Sequence, residues 1–157
     1  MESEQKHHQK AGFPLLVVEG NKDHQLLIGY CLRAKIPQAE PIFASTVQET
    51  LSFLELAFAH QKTFPRLVLL DFYLPDLTDG LKLMNQLRTR YPLLPIIILS
   101  SQPEQGLVNK AYQLGANSFL GKPKSLEEWE HMFQSLREYW FNTVTLSSYS
   151  LITSGEE

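Results

Sequence analysis

Only one of the 157 residues is a cysteine, Cys31. That excludes an internal disulfide framework and fits a reducing compartment. No apolar run approaches the roughly 20 residues of a membrane span. Met1 to Lys10 holds no hydrophobic segment, so it does not read as a secretory signal. Residues 1–12 are expected to form a disordered arm. Neither sign of charge dominates: 14 Lys and Arg against 17 Asp and Glu leave a net charge of −3. A nucleic-acid binder usually needs a basic face, and this chain has no such excess. The five histidines, His7, His8, His24, His60 and His131, show no metal-ligand spacing and are expected to be solvated side chains. These absences leave a cytoplasmic protein with neither nucleic acid nor membrane as partner.

What is present is a chain that is 43% hydrophobic and 20% charged, ordinary for one globular domain. Apolar runs alternate with amphipathic segments. Leu15-Leu16-Val17-Val18 reads as a buried strand. From about Lys22 to Lys35 the spacing of Leu26, Leu27, Tyr30 and Cys31 predicts a helix stopped by Pro37, with Cys31 as core packing. Pro41 to Ala44 is a second short strand. Thr46 caps a helix carrying Val47, Leu51, Leu54 and Phe58, with Glu49 in the capping-box position. Lys62 to Arg66 is a connection.

Leu67 to Leu70 is the third strand. A helix from Gly80 to Tyr91 presents Leu81, Met84 and Leu87 and stops at Pro92. Ile96 to Leu99 is the fourth strand, Pro103 to Leu114 a helix ended by Gly115, and Ser118 to Leu120 the fifth strand. Ser125 caps a final helix with Glu127 and Glu128 in its first turn, where the helix dipole favours acids. It runs through Trp129, Phe133, Leu136 and Trp140.

Five βα units imply a parallel sheet covered on both faces. Right-handed crossovers leave few ways to wind it. The expectation is a flavodoxin-like, doubly wound (βα)5 three-layer sandwich with strand order 2-1-3-4-5. In that order the C-terminal ends of four strands deliver Glu19, Asp71, Ser100 and Lys122 to one edge, where open α/β sheets bind ligands. Aspartate can attack phosphorus to give an acyl phosphate. The transferred group carries about two negative charges. A lysine ammonium, a hydroxyl and a Mg²⁺ held by carboxylates would neutralise them.

Four segments, in order and spacing, carry a resemblance. They are Leu-Val-Val-Glu19-Gly20-Asn21; Leu-Val-Leu-Leu-Asp71 with Leu74-Pro75 and Asp79-Gly80; Pro95-Ile-Ile-Ile-Leu-Ser100-Ser101; and Gly115-Ala116-Asn117-Ser118-Phe119-Leu120-Gly121-Lys122-Pro123. Together they resemble the CheY-like receiver domain of two-component response regulators, over roughly Phe13 to Trp140. The stretch Trp140 to Leu146 is also similar to small regulators paired with cyanobacterial phytochromes. The domain is expected over residues 13–141, followed by a 142–157 tail with no output domain.

The resemblance implies that the protein is not an enzyme in its own right but a phosphorelay switch signalling by protein contacts. It implies Asp71 as the phosphoacceptor, a histidine kinase (of phytochrome type by the narrower likeness) as donor, and Mg²⁺ as cofactor. Glu19, Asp71 and the Tyr73 backbone carbonyl become metal ligands. Lys122 contacts the phosphoryl oxygens, Ser100 is the switch hydroxyl, Phe119 takes the aromatic switch position, and the Lys122–Pro123 bond is expected to be cis.

Gly20 departs from the family, which normally has a second acid there that ligates the metal directly. The alternative is therefore a pseudo-receiver, a protein-binding module with weakened or lost phosphorylation. A haloacid-type phosphatase would need an acid two residues after the nucleophile, and Tyr73 stands there instead. Lys124 reads as a solvated charge. Trp140 and Phe141 exceed what one domain needs, so they are expected to form an exposed apolar patch, with a homodimer through that end.

Overall fold

The computed structural model describes residues 12–60 and 63–147. The expected arm, apart from Gly12, and the end of the tail lie outside the described residues. Along the chain run β1 (Phe13–Val18), α1 (Lys22–Lys35), β2 (Ala39–Ala44), α2 (Val47–Ala59), β3 (Leu67–Leu70) and α3 (Leu77–Arg90). Then come β4 (Ile96–Ser100), α4 (Gln105–Gln113), β5 (Ser118–Gly121) and α5 (Leu126–Leu136), which passes into a π-helical turn, Arg137–Phe141. The strands form one sheet of order β2-β1-β3-β4-β5, every pair parallel. The expected order is therefore the observed one. Among the described residues no helix is long and apolar enough to cross a membrane.

Alternation along the central strands divides the core in two. Leu16, Val18, Val68, Leu70, Ile96 and Ile98 pack under α2, α3 and α4. Leu15, Val17, Leu67, Leu69, Ile97 and Leu99 pack under α1 and α5. A strand buried on both faces must be apolar at every position, which is why these runs show no polar alternation. Two glycines are fixed by sterics. Gly115, after α4, has φ +102°, and a Cβ there would also press on the Arg88 side chain. Gly80 lets α3 lie against the Phe72 backbone, since a Cβ would collide with the Phe72 carbonyl.

Helix caps follow the local chemistry. Thr46 Oγ1 accepts from the Glu49 N–H at 3.1 Å, and Ser125 Oγ from the Glu128 N–H at 3.2 Å. Three expectations are corrected. In α1 the buried residues are Ile28, Gly29, Cys31 and Leu32, while Leu26 is 73% exposed and Tyr30 is exposed. Leucines and isoleucine at positions 26, 27, 28 and 32 allow two phases of helical spacing, and the sheet selects one. Next, α3 begins at Leu77 rather than Gly80, because the chain after Pro75 turns directly into helix.

Finally, Trp140 and Phe141 form no exposed patch. Trp140 is buried, and Phe141 packs its ring 4.3 Å from that of Phe13. The π-helical turn swings both inward against the α1–α5 core, with Val144 and Leu146 following them. The apolar patch expected there is therefore spent on the domain's own packing.

Candidate functional site

Register brings the site together. Val18 pairs with Leu70 across β1 and β3, so Glu19 and Asp71 emerge side by side one residue later. The Asp71 N–H continues the ladder to the Val18 oxygen at 2.9 Å, and the Glu19 N–H bonds the Ala44 oxygen at 2.9 Å. Ser100 pairs with Gly121 across β4 and β5, and the Lys122 N–H donates to the Ser100 oxygen at 2.8 Å. Four residues scattered over a hundred positions thus reach one edge of the sheet.

Lys122 is the hub. Its Nζ donates to Glu19 Oε2 and to Asp71 Oδ2, each at 2.7 Å. All three side chains are nearly sealed from solvent, Lys122 being 4% exposed, Glu19 2% and Asp71 8%. A buried charge is tolerated only when paired and hydrogen-bonded, and here every charged oxygen is engaged. The second Asp71 oxygen, Oδ1, accepts from the Tyr73 N–H at 3.0 Å, and Glu19 Oε1 accepts from the Asn21 N–H at 3.0 Å. Burial pushes the Glu19 carboxyl above the usual carboxylate range; the Lys122 hydrogen bond opposes this, and the Asp71 charge adds to it.

Ser100 is fully buried at the end of β4, and its Oγ accepts from the Gln102 N–H at 3.1 Å. The hydroxyl oxygen is thus tied to its own loop. Phe119 is half-buried against the core on the α2–α4 side. Its backbone N–H, on the free edge of β5, donates to the Tyr112 hydroxyl at 3.1 Å. Lys124 is exposed, as expected. The cis peptide bond among the described residues is Leu74–Pro75, so the expected cis Lys122–Pro123 bond is corrected to trans. Trans is the ordinary preference of an X–Pro bond, and with it Lys122 already reaches both carboxylates.

One site residue escaped the sequence. His24, expected to be solvated, lies with Nδ1 2.9 Å from Lys122 Nζ and 3.9 Å from Glu19 Oε1. Its ring stands 6.1 Å from that of Trp129. Burial, and then the Lys122 charge, hold this imidazole below its ordinary pKa. The missed signal was positional: His24 sits in the first turn of the helix that follows Glu19, five residues from that acid.

The donors on offer to a divalent ion are two carboxylates and a carbonyl. A Cβ built on Gly20 would lie 3.8 Å from the Tyr73 oxygen, so that carbonyl faces the gap where the family's second acid would stand. Among the described residues no trio of His, Cys, Asp and Glu is grouped to enclose a metal. One or two carboxylates with water and phosphate suffice for Mg²⁺, so the residues fit such an ion at the low end of its ligand requirement.

The arrangement can do acyl-phosphate chemistry: a carboxylate nucleophile, an ammonium beside it, and a hard-oxygen pocket, all at the ligand-binding edge of a doubly wound sheet. The chain is 27% identical to the response regulator Rcp1 of Synechocystis sp. (strain ATCC 27184 / PCC 6803 / Kazusa) over 135 residues, covering 84% of this chain and 91% of that protein.

The crystal structure of the Mn(2+)-bound form of Rcp1 superposes with a TM-score of 0.74 at 26% identity, over 85% of this chain and 98% of the other. That of the phosphorylated cyanobacterial phytochrome response regulator RcpA superposes with a TM-score of 0.77 at 23% identity, over 87% and 99%. The profile of the response regulator receiver domain matches residues 15–134, from within β1 through β5 and including the Glu19–Asp71–Lys122 cluster, and the chain belongs to that family.

Proposed function

We propose that this receiver domain is a phosphoacceptor switch in a two-component relay. The observation that carries the reading is the Lys122 ammonium lodged 2.7 Å from both Asp71 and Glu19. An Asp71 carboxylate oxygen attacks the phosphorus of a phosphohistidine on a histidine kinase. The P–N bond breaks, an O–P bond forms, and the departing imidazole takes its proton from solvent. Lys122 follows the new negative charge onto the phosphoryl oxygens. Glu19, Asp71 and the Tyr73 carbonyl would hold a Mg²⁺ ion, which supplies charge neutralisation when bound. The Mn(2+)-bound Rcp1 structure supports a divalent-ion role.

Ser100, by leaving the Gln102 amide for the modified Asp71, would pass the change to Phe119 and the α4–β5 surface. The likeness to a phytochrome response regulator supports a kinase of that type. The test is binding of beryllofluoride with millimolar Mg²⁺, followed by calorimetry. The wild type is expected to bind and Asp71→Asn to bind none. A wild type that takes up no mimic would sink the reading.

Gly20 favours a second reading, a protein-binding module whose phosphorylation is lost. Gly20→Asp discriminates. The added Cβ meets the Ser45 oxygen at 3.4 Å and the Tyr73 oxygen at 3.8 Å, ordinary van der Waals contacts that displace no backbone. For a working pocket one ligand short, Mg²⁺ affinity should rise about tenfold or more, the factor given by about 1.4 kcal/mol of added ligand energy. Under the second reading the substitution changes nothing, and partner binding is indifferent to Asp71→Asn.

A further inference from the structure

We propose that His24 is a positioning residue of this pocket, its unprotonated Nδ1 accepting the third N–H of Lys122; the proposal rests on the phosphoacceptor reading. A lysine ammonium carries three donors and no acceptor. Around Lys122 Nζ stand three acceptors, Glu19 Oε2 and Asp71 Oδ2 at 2.7 Å and His24 Nδ1 at 2.9 Å. Because lysine can only donate, Nδ1 must be the accepting nitrogen, and the ring proton sits on Nε2. With the Lys122 side chain 4% exposed, a donor without a partner would be costly.

Two contacts place the residue, one through its backbone N–H and one through its ring. Glu19 Oε1 accepts from the Asn21 N–H, and the Asn21 side chain in turn caps the His24 N–H at 3.1 Å, tying α1 to the acid. On the far side the ring lies 6.1 Å from that of Trp129, packed in the core. Two acceptors alone would let the ammonium swing about the line joining them. The third fixes where it points, and hence where it meets an oxygen bonded to Asp71. His24 itself touches no reacting atom.

The test reads hydrogen exchange of the Lys122 ammonium by ¹⁵N NMR, in the full chain without metal or phosphoryl mimic. His24→Leu removes the acceptor, and His24→Gln returns an oxygen at similar reach. Exchange is expected to rise about tenfold in His24→Leu, the factor for losing one hydrogen bond to a charged group, and to fall back in His24→Gln. Beryllofluoride affinity should drop by a similar factor in His24→Leu and recover with Gln. Unchanged exchange in His24→Leu overturns the proposal. So does a rise that Gln leaves in place, which would assign the effect to packing on Trp129, and so does raised exchange with unaltered mimic affinity. The phosphoacceptor reading fails separately, in the wild-type titration, because the exchange measurement needs no mimic.

Discussion

Cys31 shows how far one buried side chain can tie stability to pH. It is fully buried on the inner face of α1 between Ile28 and Leu32, and burial raises its thiol to about 11 from an ordinary 9.0. The unfolded chain would start releasing that proton near pH 9, the folded chain only near pH 11. The thiol's contribution to stability is therefore complete below about pH 9 and drains away as pH rises towards about 11. Tyr91, raised by burial as well, acts in the same direction. The urea midpoint should fall between about pH 8 and about pH 10.5, and Cys31→Ala should flatten part of that fall. An identical slope in the variant would show that the thiol is not the source. The same sealing makes Cys31 inert to alkylating reagents until the protein unfolds.

At the scale of elements, one side chain ties the end of α3 to the loops that lead into β4 and into β5. Arg88 Nη1 donates to the Tyr91, Pro92 and Leu94 carbonyls at 3.3, 2.9 and 2.8 Å. Nε and Nη2 both reach the Gly115 oxygen, at 3.1 and 2.7 Å, and Nη2 also meets Asn117 Oδ1 at 3.0 Å. The same Asn117 oxygen accepts the Ile96 N–H at 2.8 Å, so the fork helps set the start of β4 against β5. A guanidinium can reach all of these at once because its donors are splayed in a plane, and an ammonium cannot. Arg88→Ala should cost about 2 kcal/mol by urea titration with an unchanged m value, and Arg88→Lys should recover little of it. Full recovery by lysine would mean that charge, and not the fork, holds the loops.

Over the whole molecule, the core layer under α1 and α5 is closed by the turn after α5. Trp140 is buried there, Phe141 lies on Phe13, and the Arg66 guanidinium covers the Phe13 ring at 4.9 Å. Trp140→Ala should then cost about 3 kcal/mol or more, the loss typical of a buried large aromatic, seen as a lower urea midpoint. Were Trp140 an exposed contact for a second copy, the change would stay within about 0.5 kcal/mol and self-association would weaken instead. Sedimentation and denaturation on one variant separate the two.

Sequence by itself determined the strand order, the strand cores and the edge at which Glu19, Asp71, Ser100 and Lys122 gather. Runs such as Leu67 to Leu70 are apolar at every position, which only burial on both faces explains, and each ends on a polar residue. The caps at Thr46 and Ser125 were legible because they are local chemistry, read over three residues. Tertiary structure alone decided the phase of α1, where leucines and isoleucine satisfy two helical registers and only the sheet selects between them. It alone turned Trp140 and Phe141 inward, a matter of where a chain end finds uncovered core. It alone carried His24 to Lys122, ninety-eight positions away. Spacing within a segment records what its neighbours in sequence require, and a hydrogen bond between distant segments exists only once the sheet has set their register.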